Sequence, residues 1–304
     1  MSGLSASSVT QWEHLVAGLS GGFLSTLVVH PLDLLKIRMA VNEGDASVRP
    51  QHSSYWAQTR AIIRARGLPG LYQGAVPNLL GNTLAWGLYF YCYNAVKSLM
   101  RKTDKEVLTP QKHLLAGVLA GVGTLAVTNP VWVVKTRLCL QYEQQRPTYS
   151  GFTDALWQIL KKEGLVGGWY KGFLPGLVGT SHGALQFMAY DELKKHLVEF
   201  KSGSASTSDK LGTGEYIFCA AASKIFAVSC TYPYQVVRAR LQDQHRSYAG
   251  VRDVLRRTWT GEGLRGFYKG ILPSLLRVTP ATCVTFLVYE HVLRLLKQGQ
   301  GKNE

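Results

Sequence analysis

One phrase occurs three times along this chain at nearly equal spacing. It reads Pro31-Leu-Asp33-Leu-Leu-Lys36-Ile-Arg38, then Pro130-Val-Trp132-Val-Val-Lys135-Thr-Arg137, then Pro233-Tyr-Gln235-Val-Val-Arg238-Ala-Arg240, with the prolines 99 and 103 residues apart. A second phrase follows each: Gly70-Leu-Tyr72-Gln-Gly74, Gly168-Trp-Tyr170-Lys171-Gly172 and Gly266-Phe-Tyr268-Lys269-Gly270. Their final glycines are 98 and 98 residues apart, as are Pro77, Pro175 and Pro273. Chance produces one such phrase, not three in register, so the chain reads as three tandem units of about one hundred residues. We place them at 12–102, 110–200 and 212–297.

Charge is distributed around the same register. No Lys, Arg, Asp or Glu occurs over 15–32, 67–96, 113–134 or 172–190. Two further windows hold one charge each, and both charges are positive: 216–237 contains Lys224 and 270–289 contains Arg277. A helix needs ~20 residues to cross a bilayer, and six windows near that length predict six spanning helices. Several contain Ser, Thr, Asn, His and Gln. Such faces suit helices lining an aqueous cavity within a membrane bundle, the alternative being buried helices of a soluble bundle.

The segments between the windows alternate in charge. Residues 33–73, 135–171 and 238–269 carry 20 Lys and Arg against 9 Asp and Glu, whereas the opposite-side segments carry 12 against 10. That bias fits the positive-inside rule, with the three basic segments on one face of the membrane. A net charge of +15 in 304 residues also raises nucleic acid as a partner. The basic residues follow topology instead, so none is expected. The first fourteen residues hold neither Lys nor Arg, so targeting information is expected inside the chain. Five scattered cysteines show no metal-ligand or disulfide spacing and read as small packing residues.

Each unit reads as helix, amphipathic segment, helix. Gly18 with Gly22, and Gly117 with Gly121, have the GxxxG spacing that lets membrane helices approach closely. Pro31, Pro130 and Pro233 are expected to kink three helices at equivalent depth, because each removes a backbone donor.

The Pro-x-acid-x-x-base-x-base phrase, its two degenerate copies and the aromatic-x-Gly phrases resemble the signature of the mitochondrial carrier family over nearly the whole chain. The resemblance implies an all-α membrane protein with six tilted helices in pseudo-threefold arrangement around a cavity that opens alternately to either side. It implies a monomer in the mitochondrial inner membrane, with both termini toward the intermembrane space. It also implies cardiolipin on the matrix side near Gly74, Gly172 and Gly270, where free N–H groups at helix N-termini suit phosphate.

In that family, acids and bases after each proline form a ring of ion pairs that closes the matrix side. Here Asp33 is the only acid facing Lys36, Lys135 and Arg238, because Trp132 and Gln235 take the other acid places. One link is expected to be ionic, one a cation–π contact with Trp132 worth ~0.5–2 kcal/mol, and one an amide hydrogen bond from Gln235 worth about 1 kcal/mol. The glutamine brace of the family survives only as Gln242, with Ala40 and Cys139 at the matching positions. The resemblance also assigns an outer gate to Asn94, Lys97, Asp191, Lys194 and Glu290. Asn94 and Leu293 depart from its pattern, leaving two ion pairs, or else ordinary interfacial charge.

A lone charge inside a span is a functional candidate. Arg277 matches the family's third substrate-contact position. Lys224 is either a cargo contact or a side chain satisfied by carbonyls. The other contact levels fall at Gly81 and Asn82, and at Val178 and Gly179. One turn deeper lie Trp86 and Tyr89, and His182 and Gln186, with simple packing as the alternative for Trp86 and Tyr89. Bases, aromatics and amides together suit a planar heteroaromatic anion. Trp132 and the run Ser181-His182-Gly183-Ala184-Leu185-Gln186-Phe187 resemble the branch of the family that handles folate, flavin, pyrimidine nucleotides and NAD. FAD or folate is the expected cargo, and no resident cofactor or metal is expected. No nucleophile, base and orienting group cluster, and no phosphate-binding glycine loop follows a strand, so the chain does not read as an enzyme.

Overall fold

A computed structural model describes residues 11–43, 54–100, 109–142, 147–202 and 213–300. The expected repeat limits at 102 and 212 lie outside the described residues. Every regular element among the described residues is helical. Three long helices carry the repeated prolines: α1 (Gln11–Ala40), α4 (Pro110–Cys139) and α8 (Thr213–Gln242), each of 30 residues. At 1.5 Å per residue each is roughly 45 Å long, ample for a hydrocarbon core about 30 Å thick.

Each is followed by a short surface helix and then a return helix. The surface helices are α2 (Tyr55–Arg66), α5 (Phe152–Gly164) and α9 (Val251–Gly266). The first return, α3 (Ala75–Met100), is continuous. The other two are broken: α6 (Phe173–Val178) gives way to α7 (His182–Ser202), and α10 (Ile271–Leu276) to α11 (Val278–Gln300). Each break has a local cause. The hydroxyls of Thr180 and Ser181 donate to the carbonyls of Leu177 and Val178, both at 2.7 Å, tightening 179–181 into a 3-10 turn. Pro280 has no N–H to offer the Leu276 carbonyl, where α10 stops.

Among the described residues, Val16–Ala40, Lys112–Cys139 and Ile271–Leu296 are long and apolar enough to span a membrane by composition alone. The remaining three helices reach spanning length but carry polar groups, notably Asn78 and Asn82 on α3, His182 and Gln186 on α7, and Lys224 on α8.

Helices associate most extensively across unit borders, α1 with α11, α4 with α3, and α8 with α7. The contact runs along one stripe of small residues in each unit. Ala17, Gly21 and Ser25 are buried on α1, Ala116, Ala120 and Thr124 on α4, and Cys219, Ser223 and Ala227 on α8. The expectation for Gly18 and Gly22 is therefore corrected. A Cβ on either would meet nothing within 4 Å, whereas one on Gly21 would lie 2.8 Å from the Thr285 carbonyl oxygen of α11. Close approach is made by the adjacent stripe. Apolar clusters such as Val133, Val134 and Ile159, or Val237, Val254 and Phe267, concentrate where the surface helices cover the ends of α4 and α8. That end, flanked by the basic segments, is the tightly closed end of the bundle.

Candidate functional site

The phrase following each proline places its side chains at the closed end. Asp33 is almost fully buried and forms ion pairs with Lys135, at 3.6 Å, and with Arg277. Asn78 donates to its second oxygen at 3.3 Å. Lys36 meets no carboxylate among the described residues; it donates to Gln235 Oε1 at 2.6 Å and lies over the Tyr232 ring. The Trp132 ring receives Lys135 of its own helix, at 5.3 Å from the ring centre. Arg238 donates to Asn129 Oδ1 at 3.1 Å. Gln242 accepts from Thr136 at 2.7 Å and donates to the Lys171 carbonyl at 3.2 Å, tying α8 to α4 and to the strap after α5.

The second base of each phrase forms an outer set that sequence reasoning passed over. Arg137 and Arg240 are essentially inaccessible, yet each meets a carboxylate. Arg137 grips Glu163 with both terminal nitrogens, and Arg240 grips Glu262 at 2.9 and 3.0 Å and Glu43 at 3.1 Å. The signal was present as a Glu-Gly pair, Glu163-Gly164 and Glu262-Gly263, 99 residues apart. The first unit has Arg66-Gly67 there. Arg38 accordingly donates to the Cys139 and Gln141 carbonyls and to Gln73 Oε1, and stacks on Tyr142. Burial pushes the Glu163 carboxyl up, but Arg137 and Lys171 more than offset this and hold it at about 2.

Gly74, Gly172 and Gly270 share one geometry. All three have positive φ, between 73° and 86°, immediately before a helix. A Cβ on each would press on the backbone of the next unit: on the Lys135 carbonyl at 3.2 Å, the Arg238 carbonyl at 3.2 Å and the Lys36 carbonyl at 2.7 Å. Only glycine meets both demands.

Above this floor, three positions 98 residues apart touch the next unit's proline phrase. A Cβ on Gly81 would meet the Trp132 ring at 3.1 Å, and one on Gly179 would meet the Tyr234 hydroxyl at 2.7 Å. The third is Arg277, paired with Asp33. Val178 is exposed beside Gly179, and Asn82 donates to Asn78 Oδ1 at 3.3 Å. A cavity of about 1090 Å³ between α1 and α3 includes Phe23, Asn82, Trp86, Phe90 and Arg277 in its lining. Trp86 stacks on Phe90, whereas Tyr89 stacks on Tyr93 and turns its hydroxyl toward Gly117 of α4. Between α7 and α8, Lys224 donates to Gln186 Oε1 at 2.9 Å and to His182 Nε2 at 3.3 Å. His182 Nδ1 lies 2.9 Å from Thr231 Oγ1, which itself donates to the Ala227 carbonyl. This chain of donors is satisfied by neutral His182 carrying its proton on Nδ1.

The five outer-gate candidates do not form a ring of ion pairs with one another among the described residues. Among the described residues Asp191 and Lys97 make no ion pair, and Asn94 is exposed. Glu290 pairs within its own helix with Arg294, and Lys194 lies over the Tyr216 ring. Charge and packing thus close the bundle at the basic end.

The chain matches the family model described as "Mitochondrial carrier protein" three times, over residues 7–104, 106–201 and 209–300. It is 44% identical to "Folate transporter 1, chloroplastic" of Arabidopsis thaliana, covering 95% of this chain and 96% of that protein. Identity to "Mitochondrial FAD carrier protein FLX1" of Saccharomyces cerevisiae is 33%, over 93% and 97% respectively. Identity to "Nicotinamide adenine dinucleotide transporter 1, chloroplastic" of Arabidopsis thaliana is 38%, over 92% and 90%.

Proposed function

We infer, on the premise that this chain belongs to the mitochondrial carrier family, that it moves FAD or folate across the mitochondrial inner membrane by alternating access. Family membership makes it a membrane transporter and not an enzyme. The observation that carries the cargo reading is the placement of Arg277 on the cavity that Asn82 and Trp86 also line. A guanidinium is suited to a carboxylate or phosphate, an indole to a ring face, and an amide to ring heteroatoms. Relatives named for folate and FAD support the same reading.

In this reading Arg277, Lys224, Asn82, Trp86, Tyr89, Val178, Gly179, His182 and Gln186 form the cargo path. Asp33, Lys36, Trp132, Lys135, Gln235, Arg238 and Gln242 form the matrix gate. The outer gate, from Asn94, Lys97, Asp191, Lys194 and Glu290, is open. The three repeats at 12–102, 110–200 and 212–297 work within one monomer, and cardiolipin seats near Gly74, Gly172 and Gly270.

The second reading, NAD or a pyrimidine nucleotide as cargo, is favoured by relatives named for those compounds. Purified protein in liposomes, offered labelled FAD, tetrahydrofolate, NAD and pyrimidine nucleotides, separates the two. Saturable uptake of FAD or tetrahydrofolate is expected; uptake of NAD or nucleotides alone overturns the first reading.

A further inference from the structure

We propose that the closed basic end binds a small inorganic anion, of the phosphate or chloride class, between Lys36 and Arg238. A cavity of about 210 Å³ lies among α1, α4 and α8, and Lys36, Trp132, Lys135, Tyr234, Gln235 and Arg238 contribute to its wall. Three of these side chains are cations, and none is an acid. Asp33, the one carboxylate nearby, is engaged by Lys135 and Arg277. Among the described residues neither Lys36 nor Arg238 forms an ion pair; they donate to the neutral amide oxygens of Gln235 and Asn129, and Lys36 also lies over the Tyr232 ring. The Nε atom of Arg238 is fully buried and has no hydrogen-bond partner.

Lys36 and Arg238 are both half-buried; amide oxygens satisfy their donors without cancelling charge, so a cation there still gains from an anion beside it. The guanidinium fork presents a directional site for an oxyanion, and the Lys36 ammonium adds a point charge from another repeat. Trp132 and Gln235 line the same cavity and bring no negative charge to it. An anion there bridges α1 and α8, so it stabilises the closed end and leaves when that end opens. The inference concerns the gate and is independent of which cargo the carrier moves.

The test is thermal unfolding of the purified carrier in detergent, without cargo, at fixed ionic strength. Phosphate, chloride and sulfate are titrated against gluconate. A saturable rise in Tm is expected for phosphate or chloride, as for any ligand that binds only the folded state. Gln235→Glu places a carboxylate beside Lys36 and should weaken the apparent anion affinity at least tenfold, and Arg238→Gln should abolish the response. If Arg238→Gln fails to fold, Gln235→Glu decides alone. A general salting-out effect of phosphate and sulfate acts on any protein. An anion response that is absent, unsaturable or unchanged in Gln235→Glu overturns the proposal.

Discussion

Arg277 of the last repeat forms an ion pair with Asp33 of the first, 244 residues away, while Lys135 approaches the same carboxylate from the second repeat. A single buried acid thus joins all three repeats, and one of its partners lines the large cavity. An anionic cargo that engages Arg277 competes with Asp33 for it. Binding in the cavity is thereby coupled to the floor that closes the bundle.

Arg277→Ala is expected to lower uptake by roughly ten- to a hundredfold, the range of a charged hydrogen bond of about 1.5–3 kcal/mol. Lys135 still compensates Asp33, so the fold should persist with a modest loss of Tm. Arg277→Lys should recover only part of the rate, because an ammonium lacks the guanidinium fork. Proteoliposome uptake beside a melting curve checks both; full transport by the alanine variant removes Arg277 from the path.

Gate strength is tested at Gln235. Lys36 now holds an amide oxygen at 2.6 Å, and Gln235→Glu turns that contact into an ion pair. Net uptake into empty liposomes should slow several-fold, a change of about 1 kcal/mol in the cost of opening. Exchange against preloaded cargo should slow less, since bound cargo offsets opening. Equal rates for parent and variant in both modes show that the gate does not limit transport.

The helix contacts predict a contrast between neighbours. Gly21→Ala drives a methyl group against the Thr285 carbonyl, 2.8 Å away, and should destabilise by about 1–3 kcal/mol. Gly22→Ala meets nothing within 4 Å and should be neutral or slightly stabilising, as alanine favours helix. Two melting curves suffice, and equal shifts refute the assignment of the buried stripe.

Acid should act through Glu163. Its carboxyl sits at about 2, below its ordinary value of 4.5, so the folded state binds this proton less readily than the unfolded chain. The stability it contributes is complete above pH 4.5 and fades as pH falls toward 2. Glu163→Gln should cost about 1 kcal/mol at neutral pH, because the carboxylate is partly screened by solvent and Arg137 keeps Tyr149 and the Gln242 carbonyl, and should flatten the decline of Tm with acid over that window. An unchanged acid profile excludes this pair as a source of acid lability.

Orientation can be read with an impermeant thiol reagent in a background stripped of the five native cysteines. Ser247 is exposed beyond α8 at the basic end. In mitoplasts, Ser247→Cys should label only after permeabilisation, if that end faces the matrix. Ser47, expected on the same side, and Ser204, expected on the opposite and reactive side, lie outside the described residues. Labelling of Ser247→Cys without permeabilisation reverses the orientation.

The architecture was legible because its signals recur: three prolines, three aromatic-glycine phrases and six nearly charge-free windows leave few other folds. The interacting face of α1 was not. Two stripes of small residues run side by side, Ala17–Gly21–Ser25 and Gly18–Gly22, and spacing alone cannot tell which meets α11. The gate partners were only half legible for a related reason. Position in the phrase located Lys135 and Arg238, but the rotamer of each decides whether it meets Trp132, and Lys135 takes the ring while Arg238 reaches Asn129. The Asp33–Arg277 pair belongs to two motifs that no local pattern connects.

The buried stripes of small residues also separate heredity from mechanics. The sequence counts by repeats, yet the tightest helix pairs, α11 with α1, α3 with α4 and α7 with α8, each straddle a repeat border. The large cavity, by contrast, lies between α1 and α3 of the first repeat, with Arg277 of the third at its edge. Within a copied unit the long helix and its return touch far less than they do across the borders, so each copy is fastened mainly to its neighbours and only weakly to itself.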